Sequence, residues 1–359
     1  METNVNHAIN HIGVSLPVEN VQQLASKNLK DIPYRYIRPE YQTDEVSVDE
    51  SSQLPVIDMN KLASGSMEYQ TEMSKLHQAC KEWGFFQLTN HGGATEIEKT
   101  KVAAEEFFKL PLEEKMVCAQ QPHINLEGYG QSNVFLDDQK LDWSDMLLLF
   151  TLPVFARNKN IWPNNPTSFR SALEDYSREL HRICISLYES IAKNLGVDFK
   201  EFMNMSQEST QVIRINYYPP CSQADKVVGI GPHSDGSLLT LLVQTNEMEG
   251  LQIRKNGKWV PINPLPGAII VNVGDMMEIM SNGEFRSVEH RAVVNSEKER
   301  ISIVAFHNPS LEASISPLPD LVKENEAKYK TVKYGDYLKL VFSSRLDGKN
   351  VIDNVKIHN

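Results

Sequence analysis

The residues best able to do chemistry in this 359-residue chain gather in its second half. Gly231-Pro-His233-Ser-Asp235-Gly236 sets a histidine and an aspartate two positions apart. On an extended chain, side chains at that spacing point to one side, so the pair can grip a single metal ion. Two ligands do not complete a site. The candidate third is His290, in Ser287-Val-Glu-His290-Arg291, with 54 residues between it and Asp235. That interval is long enough for several antiparallel strands to bring the chain back. Two neutral imidazoles and one carboxylate on one face leave about three coordination positions open, the facial arrangement of non-haem Fe(II) sites. An isolated His-x-Asp arises often by chance, and by itself it reads more simply as a turn histidine with an unrelated surface histidine downstream.

The weight shifts with Arg300-Ile-Ser302, ten residues after His290 at the start of the apolar run Ile301 to Phe306. Arg300 and Ser302 share one side of that strand. A guanidinium fork beside a hydroxyl is a carboxylate receptor, because the fork meets two carboxylate oxygens in plane. A surface salt bridge is the usual fate of a lone arginine. Buried near a metal, an unpaired guanidinium is costly, and an anionic small molecule is its natural partner.

The elements that must position these residues follow from texture. Beyond about residue 210 the sequence consists of short apolar runs separated by glycine, proline and asparagine, the mark of an all-β unit. The runs are 212–218, 238–244, 251–254, 259–262, 268–273, 291–294 and 301–306. Asn256-Gly257 is suited to a two-residue hairpin turn between two of them. Upstream, Phe169, Leu173, Tyr176, Leu180, Ile183, Leu187, Ile191 and Leu195 recur at steps of three and four, predicting a helix over about 168–195 with one face buried and Gly196 at its end. Tyr69, Met73, Leu76, Cys80 and Trp83 predict a second helix ended by Gly84, between short strands at 54–58 and 85–88. Residues 1–53 are polar and irregular, and Thr43 to Gln53 reads as an exposed connection. From about residue 318 the tail is charged and helix-like.

With 41% apolar and 23% charged residues the chain is globular. Its 47 acidic against 36 basic residues give a net charge of -11, which disfavours nucleic acid as a partner. No stretch approaches the roughly 18 apolar residues of a membrane span, and no secretory signal precedes the first strand. Cys80, Cys118, Cys184 and Cys221 stand far apart without a C-x-x-C pair, so free thiols in the reducing cytoplasm are expected.

Taken together, His-x-Asp, the 54-residue interval, His, and then Arg-x-Ser resemble the plant 2-oxoglutarate and Fe(II)-dependent dioxygenases. The likeness extends through Leu54-Pro-Val-Ile-Asp58, Ala79-Cys-Lys-Glu-Trp-Gly-Phe-Phe-Gln87, Asn90-His-Gly92, Asn216-Tyr-Tyr-Pro-Pro-Cys221 and Asn282-Gly283. It covers nearly all of 54–310 and runs toward the branch of the SRG-type proteins and opium-poppy O-demethylases. The resemblance implies a mainly β fold with α: a distorted double-stranded β-helix, or jelly-roll, core with an N-terminal α/β portion and the long helix as support. The implied division is 1–53 irregular, 54–205 N-terminal dioxygenase portion, 206–310 jelly-roll core and 311–359 helical tail.

By the same resemblance His233, Asp235 and His290 hold Fe(II), and Arg300, Ser302 and Tyr218 hold the distal carboxylate of 2-oxoglutarate. Asn216 lines the site or makes a strand-end hydrogen bond. O₂ is the oxidant and ascorbate a supporting reductant. Phe306, Phe135, Met146 and Tyr129 are candidates for contact with a flat aromatic substrate. His91 is expected to be structural, and His307 a neighbour of the site without being a ligand. The expected protein is a cytoplasmic monomer that hydroxylates or oxidatively O-demethylates a hydrophobic flavonoid or alkaloid. An oxidase of the aminocyclopropane-carboxylate or isopenicillin type, working without 2-oxoglutarate, is the enzymatic alternative. A catalytically silent small-molecule binder is the third reading, though no ligand is missing from the motif.

Overall fold

The computed structural model describes residues 16, 18–27, 30–47, 53–63, 65–121, 127–131, 134, 138–206, 209–323, 325–343 and 350–357. Among the described residues fourteen strands run in chain order: β1 (Val56–Asp58), β2 (Phe85–Thr89), β3 (Gly128–Gly130), β4 (Asp145–Leu152), β5 (Thr210–Tyr218), β6 (Ile230–His233), β7 (Leu239–Gln244), β8 (Leu251–Lys255), β9 (Lys258–Pro261), β10 (Ile269–Val273), β11 (His290–Ala292), β12 (Arg300–Asn308), β13 (Ser314–Ile315) and β14 (Val332–Lys333). Eight of them form one large sheet in the order β1-β2-β10-β7-β12-β5-β4-β3, antiparallel except for the β1–β2 pair. Four more form a smaller sheet, β6-β11-β8-β9, and β13 pairs with β14. Residues of both larger sheets line one common cavity, which gives the jelly-roll arrangement. The two sheets do not close into a continuous barrel.

The large sheet has two different faces, and strand alternation decides what each one carries. Ile213, Ile215 and Tyr217 of β5, Leu239, Leu241 and Val243 of β7, Ile269, Val271 and Val273 of β10, and Ile301, Ile303 and Ala305 of β12 all join the main apolar core. The intervening residues Arg214, Asn216 and Tyr218, Thr240 and Leu242, Ile270 and Asn272, and Arg300, Ser302, Val304 and Phe306 line the cavity. One face therefore binds helices and the other forms the site.

The main support on the helix face is Phe169–Leu195, on the order of 40 Å long at about 1.5 Å per residue. It buries Leu173, Tyr176, Leu180, Ile183, Leu187 and Ile191 and ends at Gly196 in the left-handed conformation, as its periodicity predicts. Ser177 anchors it to the sheet by donating to Gln211 Oε1. The helix beginning at Tyr69 runs to Gln78 and then widens into a single π turn, Ala79–Trp83, before Gly84. That glycine is required: its φ is 62°, and a Cβ there would stand 2.2 Å from the Arg286 carbonyl oxygen. The hairpin between β8 and β9 turns on Asn256 and Gly257, both at positive φ.

The N-terminal segment is more ordered than its polar composition suggests. Val21–Ser26 is a helix whose first N–H groups, from Val21 and Gln22, donate to the Asp145 carboxylate. Val21, Leu24 and Tyr36 bury themselves with Leu141, Trp143 and Val227 in a second small core. The stretch expected to be an exposed connection is likewise engaged in its described part, since Asp44 pairs with Arg291 and accepts from Trp259 Nε1. These contacts span more than a hundred residues, so no local period announces them. Among the described residues no helix is long and apolar enough to cross a membrane.

Candidate functional site

His233 ends β6 and His290 begins β11, and the antiparallel register sets them directly opposite each other. Their ring centroids are 4.3 Å apart. Asp235, just past the end of β6, brings Oδ1 within 3.6 Å of His233 Nε2 and 3.7 Å of His290 Nε2. The three ligand atoms lie within 4.8 Å of one another, close enough to hold one metal ion.

Each donor is oriented by a neighbour. His233 Nδ1 lies 2.8 Å from the Gly231 carbonyl and His290 Nδ1 lies 3.1 Å from that of Val288. A carbonyl can only accept, so both Nδ1 atoms carry the proton and both Nε2 lone pairs face the site. Asp235 Oδ2 accepts from Thr240 Oγ1 at 2.7 Å and from Asn272 Nδ2 at 2.8 Å, leaving Oδ1 for the metal. Burial alone would raise the Asp235 pKa, but His290, His233 and the two hydrogen bonds hold it below its ordinary value, so it is ionised. Burial, and then the neighbouring His290, lower the His233 pKa to about 4, which keeps the imidazole neutral and able to ligate. Two neutral nitrogens and one carboxylate oxygen make a donor set that fits Fe(II).

Across the cavity Arg300 stands opposite Tyr218, and Ser302 opposite Asn216, in the β5–β12 register. Arg300 is 3% exposed and forms no ion pair with an acid among the described residues. Its Nε and Nη2 donate to the neutral Gln244 Oε1 at 3.2 and 3.1 Å, and Cζ lies 5.3 Å from the Tyr218 ring centre. Burial lowers the Arg300 pKa, and Tyr218 offsets that loss only in part. Asn216 Nδ2 donates to Ser302 Oγ at 3.3 Å, and Arg214 Nε donates to Asn216 Oδ1. The result is a buried cationic receptor suited to a small carboxylate.

The substrate candidates separate. Phe306 lines the cavity. Met146 of β4 pairs with Asn216 of β5 and is buried, but it does not line the cavity. Tyr129 belongs elsewhere: its strand neighbour is Leu147, and its ring packs with Phe107 and Phe108 in the helix-side core while Asn20 caps its hydroxyl. Phe135 lies outside the described residues. His307 also departs from expectation. It occupies the helix face of β12, beside Gln211 and stacked near His181, with the sheet between it and the metal ligands. His91 is structural, since its Nε2 donates to the Gly267 carbonyl and its Nδ1 accepts from Gly93 N–H.

Several site residues escaped sequence reasoning. Thr240 and Asn272 hold the free oxygen of Asp235, Gln244 holds Arg300, and Arg214, Leu251, Ile270 and Val304 line the cavity. Gly250 is another, because a Cβ there would lie 2.7 Å from Arg300 Cδ. Alternation on β7 and β10 was the one signal available for Thr240 and Asn272, and it needed the strand order to be useful.

A jelly-roll with two histidines and an aspartate converging beside a buried arginine defines a non-haem iron, 2-oxo-acid type of centre. Comparison with known proteins agrees. Residues 209–309 match the 2OG-Fe(II) oxygenase superfamily, and residues 54–165 match the family described as non-haem dioxygenase in morphine synthesis N-terminal. The chain is 49% identical to S-norcoclaurine synthase 1 of Coptis japonica, covering 96% of this chain and 98% of that one. It is 46% identical to oxoglutarate-dependent flavonoid 7-O-demethylase 1 of Ocimum basilicum (97% and 93%) and 43% identical to codeine O-demethylase of Papaver somniferum (96% and 98%). Among solved structures, that of JOX2 in complex with 2OG, Fe and JA superposes with a TM-score of 0.87 at 32% identity, covering 96% of this chain and 99% of that one. The chain belongs to the 2OG-Fe(II) oxygenase superfamily and is a 2-oxoglutarate-dependent dioxygenase.

Proposed function

We propose that the protein hydroxylates or oxidatively O-demethylates a hydrophobic specialised metabolite of the flavonoid or alkaloid class, releasing succinate and CO₂. The observation that carries this reading is that the buried Arg300 and the His233–Asp235–His290 cluster line one cavity, whose wall also carries the apolar side chains of Phe85, Leu242, Leu251, Ile270, Val304 and Phe306. The metal, when bound, supplies oxidation of the substrate by O₂ coupled to decarboxylation of 2-oxoglutarate.

The residues of the chain bind, orient and exclude water. His233, Asp235 and His290 would hold the metal and, as three ligands, would leave coordination positions for the co-substrate. Arg300 engages the distal carboxylate in the plane of its fork, with Ser302 and Tyr218 completing the receptor and Asn216 fixing the Ser302 hydroxyl. The apolar wall receives the substrate, with Phe306 placed to pack against a flat ring. Hydroxylation of a methoxy carbon gives a hemiacetal that collapses to a hydroxyl and formaldehyde, so one site serves both outcomes. The division into an N-terminal portion (54–205), a jelly-roll core (206–310) and a tail (311–359) is part of this reading. So are action as a monomer and a cytoplasmic setting, the latter in keeping with four free, buried cysteines.

A panel of methoxylated flavonoids and alkaloids, assayed for succinate with mass analysis of products, tests the proposal. Turnover is expected to require Fe(II), O₂ and 2-oxoglutarate and to stop with Asp235→Ala. One relative is named a synthase, so each substrate is also incubated without 2-oxoglutarate. Product formed equally well in its absence would sink the dioxygenase assignment of the reaction.

A further inference from the structure

Outside the cavity, the short helix Asp275–Met280 carries two buried acids one turn apart, Asp275 and Glu278. Asp275 Oδ2 accepts from Tyr337 Oη at 2.7 Å and from Ser234 Oγ at 3.1 Å, and the Asp275 N–H donates to the Asp235 carbonyl at 2.7 Å. Ser234 is the residue between two of the metal-ligand candidates. Glu278 Oε1 accepts from Tyr329 Oη at 2.8 Å, and its Oε2 accepts from the Ser287 N–H at 2.7 Å, three residues before His290. Each acid thus joins one tyrosine of the C-terminal segment to one ligand-bearing stretch. Packing follows the same route: a Cβ on Gly236 would meet Leu338 and the Tyr337 ring at 3.5–3.9 Å. Burial, and then the adjoining acids, raise the pKa of both phenols, so each O–H remains a donor.

We propose that Tyr337 and Tyr329 are positioning residues for the metal site, acting through Asp275 and Glu278 to hold the His233–Asp235 turn and the approach to His290 at the separation where their ligand atoms converge. The proposal rests on the reading that these three side chains bind a divalent metal. A hydroxyl donating to a buried carboxylate fixes the direction of that carboxylate, and ligands must be held to within roughly 0.5 Å of productive geometry. Both tyrosines lie beyond the 209–309 segment that matches the superfamily, so the tail contributes to a site whose ligands it does not supply.

The test is anaerobic titration of Co(II) into the full-length protein, reading affinity and the shape of the visible bands, with the thermal midpoint of the metal-free protein measured in parallel. Tyr337→Phe is expected to weaken Co(II) binding about tenfold, the low end for partners of metal ligands, and to shift the bands. Tyr329→Phe, one step further from its ligand, has a smaller effect, and the two factors multiply in the double variant. Ser234→Ala cuts the first connection from the ligand side and gives the Tyr337→Phe shift even if the tyrosine variants fold poorly. Tyr176→Phe removes a hydroxyl buried in the helix layer that has no hydrogen-bond partner among the described residues, and it binds Co(II) as the wild type does. Wild-type affinity and spectrum in both Tyr337→Phe and Ser234→Ala, whatever their thermal midpoints, overturn the proposal. A wild-type protein that takes up no Co(II) removes the site reading itself, and the proposal with it.

Discussion

Replacing Arg300 by methionine is expected to move 2-oxoglutarate binding and metal-free stability in opposite directions. The guanidinium is 3% exposed, its described side-chain partners are the neutral Gln244 and the Tyr218 ring, and Gly250 leaves room for its stem. Removing one member of a buried, hydrogen-bonded charge pair costs about 2–5 kcal/mol of binding. At about 1.4 kcal/mol per factor of ten, affinity for 2-oxoglutarate falls by roughly 30-fold to a few thousand-fold. Without the co-substrate the same guanidinium is a buried charge with little compensation, so an apolar side chain that keeps its length is neutral or stabilising. Calorimetric titration of 2-oxoglutarate into the Mn(II)-loaded protein gives the first quantity, and thermal denaturation of the metal-free protein gives the second. In turnover, the KM for 2-oxoglutarate rises more than kcat falls. Binding within threefold of wild type would refute the assignment of Arg300 as the carboxylate receptor. A large loss of metal-free stability would show instead that its packing matters more than its charge.

Three further outcomes follow from neighbouring contacts. Thr240→Val removes one of the two hydrogen bonds to Asp235 Oδ2, and an anaerobic Co(II) titration is expected to show roughly tenfold weaker binding; unchanged affinity counts against an orienting role. Gly250→Ala puts a Cβ 2.7 Å from Arg300 Cδ, so steady-state kinetics should show a raised KM for 2-oxoglutarate with kcat largely kept, and an unaltered KM would mean that the guanidinium tolerates displacement. Burial, with His181 adding, lowers the His307 pKa to about 3, so between about pH 6.5 and 3 the unfolded chain binds a proton that the folded one does not. Stability therefore falls with falling pH through that window by about 1.4 kcal/mol per pH unit. His307→Gln should lack this component, and parallel denaturation curves for the two proteins across pH 5 to 7 would contradict it.

What the sequence reveals depends on whether the determining contacts are local. The long helix, the Asn256-Gly257 hairpin and the strand bearing Arg300 and Ser302 carry their own period or turn chemistry, and they form where that chemistry predicts. The same rule corrects the misplaced histidine: on a strand where residues 300, 302, 304 and 306 face the site, residue 307 must face away. Tyr129 misled for another reason. Gly128-Tyr-Gly130 has the composition of a loop, yet it pairs with β4 as an edge strand, and this register turns the ring toward the helices. Thr240, Asn272 and Gly250 were illegible because their roles depend on which strands become neighbours. Tyr337 meets Asp275 across 62 positions of sequence, and no periodicity spans such a distance.

The net charge of -11 poses a problem for a protein that must admit a dianion. The cavity answers it with Arg214, Arg291 and Arg300 in its wall against the single carboxylate of Asp235. The three cations are not equivalent. Arg291 is tied to Asp44 of the N-terminal segment, and burial lowers the Arg214 pKa, a loss that Tyr218 and then Asp142 and Asp235 only partly offset. Arg300 has Gln244 and the Tyr218 ring in place of an acid. Field lines entering a cleft with low-dielectric walls are focused by the charges left uncompensated inside it. If Arg300 receives the co-substrate carboxylate as proposed, selectivity at that point depends also on Asp44 engaging the neighbouring Arg291. That makes the N-terminal segment, through Asp44, part of the electrostatic design of a site whose ligands all come from the distant half of the chain.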